Sequence, residues 1–207
     1  MLMNSCITYG ITLNMVKINI KHFMWLICIF ALLIYFCIYF AFGHNNEPYS
    51  LSAFLGDCSK VVMIMTLLSS LFISFAWKWR IFRGWLISIP DISGKWEGKL
   101  ISTYINPPME IPTTVYIKQT FFHTIVKIQT GESSSISKCA SFDIDSVRGV
   151  KHLYYSYVNK PKAEVRNRSE IHYGTTLLEI SEDNQSMTGE YWTSRKTTGS
   201  IDLRKCS

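Results

Sequence analysis

None of the six cysteines stands in a Cys-x-x-Cys pair, and no Cys/His grouping has the spacing of a metal site. His-Glu-x-x-His, the phosphate-cradling P-loop and the Gly-x-Ser-x-Gly nucleophile turn are all missing. His152 and His172 fall on neighbouring predicted strands, but two imidazoles without a third ligand do not make a zinc site. The chain therefore reads as a non-enzyme that needs neither metal nor cofactor. Charge is also scarce, at 17% of residues, and what there is divides unevenly. Residues 1–90 carry six Lys/Arg against two Asp/Glu, or +4, and residues 91–207 carry fifteen against thirteen, or +2. Most of the net +6 thus lies beside the apolar runs. It gives no reason to expect a DNA or RNA polymer as partner.

Two stretches lack charge altogether. Residues 23–42, FMWLICIFALLIYFCIYFAF, are long enough to cross a bilayer, which takes about 20 apolar residues. Residues 61–77 form a second span, with Trp79 placed to anchor its end. The first run is longer than the core of a signal peptide, and a second span follows it. Lys17 and Lys21 precede the pair, and Lys78, Arg80 and Arg83 follow it. The connecting loop, 43–60, holds Cys58, two acidic residues and Lys60. Lysine and arginine collect on short cytoplasmic flanks, so both termini are expected in the cytoplasm. The expected organisation is an N-terminal segment 1–21, a transmembrane hairpin 22–82, a linker 83–93 and a β-domain 94–207.

From residue 94 no helical period survives, and the apolar residues alternate. Eight strands are predicted, over 94–105, 113–120, 124–130, 135–143, 150–158, 168–180, 186–193 and 198–205. Eight short strands in fewer than about 120 residues favour a closed antiparallel up-and-down barrel, lipocalin-like in build. Gly94-x-Trp96 opens the first strand, and Arg204 at the far end is expected to pack across the Trp96 ring. Trp96 reads as a floor plug without ligand contact. Antiparallel order sends the turns after strands one, three, five and seven to one rim. That rim gathers Tyr104, Thr130, Ser133, Arg166, Arg168, Tyr191, Thr193, Arg195 and Lys196, with Tyr154 beside it. Cations for phosphates, tyrosines for bases and hydroxyls for edges would suit a small anionic ligand bearing aromatic bases. Solvated loop charges would give the same pattern. In the second span Thr66, Ser70 and Ser74 recur every four residues, along one stripe of a helix. Such a stripe would pack on the first span or join two protomers.

Two spans, a short linker, GKWEGKL, IKQTFFHTIVKIQTGESSS and GEYWTSRKTTGSIDL together resemble the two-transmembrane, β-strand-rich effectors of CBASS, the bacterial cyclic-oligonucleotide anti-phage systems. The resemblance covers residues 20–206. It implies a protein of the bacterial inner membrane whose barrel binds a cyclic di- or oligonucleotide made by a partner nucleotidyltransferase. It further implies that binding promotes homo-oligomerisation, and that the spans then disrupt the membrane lipid and kill the infected cell. The resemblance assigns no ligand residues; those above come from rim position alone. Two other readings remain at this point: a membrane-anchored carrier of an apolar ligand, and a filled barrel that binds a protein.

Overall fold

A computed structural model describes residues 20–41, 50–104, 107–145 and 148–206. Residues 1–19 of the expected N-terminal segment, Cys6 among them, and residues 43–49 of the expected interhelix loop lie outside the described residues. The chain divides into two compact units, the first including residues 17–88 and the second residues 89–207.

In the helical unit, α1 (Ile20–Ala41) and α2 (Leu51–Ser74) are each long and apolar enough to cross a membrane. Phe23 meets Phe72 and Tyr35 meets Phe54, with ring centroids 6.5 and 6.3 Å apart, so the two helices run antiparallel. The second helix starts ten residues before the predicted span. Ser50 caps it, its hydroxyl accepting from the Ala53 N–H at 3.2 Å. Cys58 is therefore helical rather than part of a loop. Asp57 is buried and ion-pairs with Lys60 at 3.0 Å within the same helix. Thr66, Ser70 and Ser74 are exposed. The stripe is turned away from α1, and Thr66 returns its hydroxyl to the Val62 carbonyl. Packing between the spans of one protomer does not use it.

The second unit is a closed barrel of eight antiparallel strands in sequence order. The strands are β1 (Gly94–Ser102), β2 (Met109–Gln119), β3 (Thr124–Gln129), β4 (Ser133–Asp145), β5 (Val150–Pro161), β6 (His172–Ile180), β7 (Ser186–Thr193) and β8 (Thr198–Lys205). Pairing of β1 with β8, from Trp96 opposite Lys205 to Ser102 opposite Gly199, closes the ring. All eight predicted strands are present. The sixth begins at His172 rather than Arg168. β5 ends at Pro161, which has no N–H to donate, and a short 3-10 turn, Ala163–Val165, carries the chain across the rim. A bulge between Ser137 and Cys139 shifts the inward parity of β4 from odd to even positions.

Inward residues fall into two halves. Trp96, Val115, Val126, Leu153, Leu178, Met187 and Leu203 are buried and fill the end of the barrel nearest the start of β1. Trp96 is fully buried and its indole N–H donates to the Ile92 carbonyl at 2.9 Å, so it plugs the floor as expected. The cation over its ring is Lys205, 5.6 Å from the centroid, rather than Arg204. Strand parity decides this: Lys205 pairs with Trp96 and shares its face, whereas Arg204 pairs with Glu97 on the outside. Residues 89–93 close the floor from below. The Gln119 amide donates to the Pro90 carbonyl at 3.0 Å and accepts from the Ile92 N–H at 2.9 Å. Gln119→Leu would leave two backbone groups unpaired in a dry floor. We expect it to lower stability by about 2–4 kcal/mol in denaturant titration, with the barrel spectrum retained.

Candidate functional site

Above the floor, apolar side chains no longer fill the ring. A cavity of about 340 Å³ opens there, towards the rim formed by the turns after β1, β3, β5 and β7. Its size lies at the lower end of small-molecule sites. Register explains its lining. Tyr155, Thr176, Tyr191, Gly199 and Ser102 are successive cross-strand partners, so one inward row runs over five strands. The next row holds Tyr157, Gly174 and Thr193, and above it lie Ser135, Asn159 and His172. Two glycines make room for aromatic rings. A Cβ on Gly174 would lie 2.4 Å from the Tyr157 hydroxyl, and one on Gly199 would lie 2.5 Å from the Tyr191 ring. Both tyrosines therefore lie against the neighbouring strand and present flat faces. Burial pushes both phenols upward in pKa, so they are neutral donors at physiological pH.

The β7–β8 turn places the central cation. Trp192 pairs with Thr198, and the Thr193 N–H donates to the Thr197 carbonyl at 2.9 Å, leaving residues 194–196 as the loop. Lys196 takes the left-handed conformation, φ 61°, that ends a three-residue hairpin loop. That geometry turns Arg195 inward and leaves Lys196 exposed. The Arg195 guanidinium lies 4.9 Å over the Tyr104 ring. It donates to Ser169 Oγ at 3.2 Å and to His172 Nε2 at 3.4 Å. No carboxylate pairs with it among the described residues, and its buried Nε has no hydrogen-bond partner. An unpaired guanidinium nitrogen inside a cavity is costly unless a ligand completes it.

His172 is held in one tautomer. Its Nδ1 meets the Glu170 carbonyl at 2.8 Å and must carry the proton, leaving Nε2 to accept from Arg195 and, at 3.5 Å, from Asn159. Ser135 donates to Asn159 Oδ1 at 2.9 Å and fixes the amide. Deeper in, the Tyr155 and Thr176 hydroxyls are buried without a hydrogen-bond partner. Burial raises the Tyr155 phenol, and the neighbouring Thr176 hydroxyl only partly offsets that. At the mouth, the Tyr104 hydroxyl donates to the Arg168 carbonyl, and Arg168 pairs with Glu132 at 2.6 Å.

Of the residues expected at the site, Tyr104, Thr130, Ser133, Arg168, Tyr191, Thr193 and Arg195 line the cavity. Arg166 sits outside the lining, donating to the Pro161 carbonyl at 3.4 Å, and Lys196 points to solvent. Tyr154 is on the outer wall, because β5 turns its odd positions inward. Tyr157, Asn159, Ser135, His172 and Thr176 were not anticipated. His152 and His172 do not approach: His152 pairs with Glu179 at the other end of β5 and β6.

The sequence profile described as "Cap15, cyclic dinucleotide receptor domain" matches residues 87–205. A relative described as CD-NTase-associated protein 15, from Staphylococcus schleiferi, is 37% identical over 147 residues, 71% of this chain and 78% of the relative.

Burial holds the His172 imidazole below the ordinary value of 6.5, the Glu170 carbonyl opposes that push, and nearby Arg195 adds to it. The folded protein thus binds this proton less tightly than the unfolded chain. Stability contributed by neutral His172 is present above about pH 6.5 and is lost as pH falls through the window below it. His172→Gln is expected to flatten that part of the stability profile, read from melting temperatures between pH 5 and 7.5.

Proposed function

The chain belongs to the Cap15 cyclic dinucleotide receptor family, and from that premise we propose that it is a CBASS antiviral effector whose cavity binds a cyclic di- or oligonucleotide. The observation that carries this reading is Arg195. Its guanidinium is turned into the cavity, stacked on Tyr104, free of any carboxylate among the described residues and left with a buried N–H unpaired. A phosphodiester supplies the anion and the acceptor that this group lacks. Tyr104, Tyr157 and Tyr191 offer ring faces to bases, and Thr130, Ser133 and Thr193 offer hydroxyls to their edges or to ribose. Arg168 reaches a second phosphate once it leaves Glu132.

In this reading a partner nucleotidyltransferase makes the ligand during infection. The protein sits in the bacterial inner membrane through α1 and α2, with both termini in the cytoplasm. Binding promotes homo-oligomerisation, and the assembled spans disrupt the membrane and kill the cell. Nothing in this sequence of events requires the protein to act as an enzyme.

Two measurements test it. Calorimetry on the full chain in detergent, against cyclic di-AMP, cyclic di-GMP and cyclic GMP–AMP, should find a tight binder. Arg195→Ala should weaken that binding by about 1.5–3 kcal/mol, the range for a hydrogen bond to a charged group. Binding of none of these nucleotides by folded protein would overturn the receptor reading. The exposed hydroxyl stripe of α2 is the proposed contact between spans. Ser70→Leu with Ser74→Leu should preserve expression and nucleotide binding but abolish ligand-dependent dye uptake by cells. Persistent uptake in that variant would place the lesion elsewhere.

A further inference from the structure

The strands that line the cavity also carry an outer wall, and that wall is not uniform. On the outside of β6 and β7, Tyr173 and Trp192 are 63% and 45% exposed, and Tyr154 on β5 adjoins them through Leu177. Tyr173 and Trp192 are diagonal neighbours, since Thr175, two residues from Tyr173, pairs with Trp192. The outward positions of β6 and β7 include Glu179 and Glu190 and no basic residue. Four strands round the ring, the outside of β3 and its neighbours is the converse. Tyr116, Lys127 and Ile136 form one cross-strand row, with Lys118 opposite Ile125 beside it. Tyr116, Ile125 and Ile136 are 43%, 47% and 50% exposed. No acidic residue lies outward on β3 or on β2 beyond Thr114. None of the four charges, Lys118, Lys127, Glu179 and Glu190, has an ion-pair partner among the described residues.

Aromatic surface of this extent on a small domain marks a contact site. We propose that the occupant is a second copy of this chain, the acidic aromatic wall of β6–β7 docking on the basic apolar wall of β2–β3 of the next. Each copy carries both halves of a complementary pair on opposite sides. The contact is therefore head-to-tail and leaves a free wall at each end, so copies add in a row or ring rather than stopping at a pair. Two convex walls meet over less than the roughly 1,200–2,000 Å² of a stable complex, so the contact is weak and depends on concentration. Confinement of the copies to one membrane, or ligand, supplies what the walls lack. The proposal rests on the receptor reading only for the effect of ligand; the docking of the walls stands without it.

The test is reciprocal charge reversal in the full chain, purified in detergent and followed by sedimentation velocity over a wide range of protein concentration. Runs are made with and without the three cyclic dinucleotides named above. The wild type should self-associate as concentration rises without nucleotide, and at lower concentration with it. Lys127→Glu and Glu190→Lys should each raise the midpoint at least about tenfold. The double variant, with both walls reversed, should restore it. Glu190 is exposed and Lys127 is half-buried on the outer face, outside the packed interior, so circular dichroism should show unchanged barrels. Association of Lys127→Glu at the wild-type midpoint overturns the assignment, as does failure of the double variant to recover. A wild type that stays monomeric at every concentration while binding nucleotide overturns the wall contact and leaves the receptor reading standing. A monomer that instead forms a stoichiometric complex with the nucleotidyltransferase gives the walls to that partner and also overturns it.

Discussion

Closure of β1 onto β8 is the constraint on which the rest depends. Seven registered positions, Trp96 to Ser102 against Lys205 to Gly199, remove both sheet edges. Once the ring is shut, every second residue of every strand must either pack or border empty space. Large apolar side chains meet that demand as far as Leu153, Leu178 and Leu203. Beyond them the inward positions become Ser102, Thr176, Thr193, Ser135 and Asn159, and the volume they leave is the cavity. The floor and the cavity are thus two outcomes of one pattern. Trp96, Gln119 and Ile92 tie the lower end together with three hydrogen bonds.

That division also weighs against a long apolar ligand. Such a ligand needs a deep channel, and the lower half of this barrel is occupied. The upper half has Leu100, Ile111, Ile128 and Ile201 on its walls, yet its donors and acceptors cluster at the mouth around Arg195 and His172. A flat base with polar edges and an anionic backbone fits a mixed lining of this kind better than a hydrocarbon chain does. A protonated imidazole at His172 would repel Arg195, whereas the neutral one accepts from it.

The strand number, the barrel and the rim onto which the cavity opens were legible in the sequence, because alternation and turn residues report the backbone directly. Seven of ten proposed residues lie on the cavity for the same reason. The failures have local causes. Tyr154, Tyr155 and Tyr157 are equally tyrosine, and only the phase of the alternation separates wall from cavity; β5 turns its odd residues inward. Arg195 and Lys196 are adjacent cations, divided by one left-handed residue in the turn. Asn159 and His172 gave no motif because they are brought together by the β5–β6 register. The early start of α2 was signalled by Ser50, but a hydropathy reading passes over a helix turn that contains Asp57 and Lys60.

The period of two also ties the inside of the barrel to the outside. Tyr191 and Thr193 line the cavity, and Trp192 between them stands on the outer wall. The same holds on β6, where Thr176 faces in and Thr175 and Leu177 face out. In the proposed reading, a ligand held by Thr193 and Arg195 would restrain the β7–β8 turn, and with it the backbone that carries Trp192 and Glu190. In the proposed assembly the wall contact must otherwise meet the cost of immobilising those side chains itself, roughly 0.5–1.5 kcal/mol for each. Ligand that has already restrained the strand removes part of that cost, so occupancy and association favour one another without any large change of shape. The linkage is reciprocal: association of the walls must tighten the cavity's hold on its ligand by the same factor.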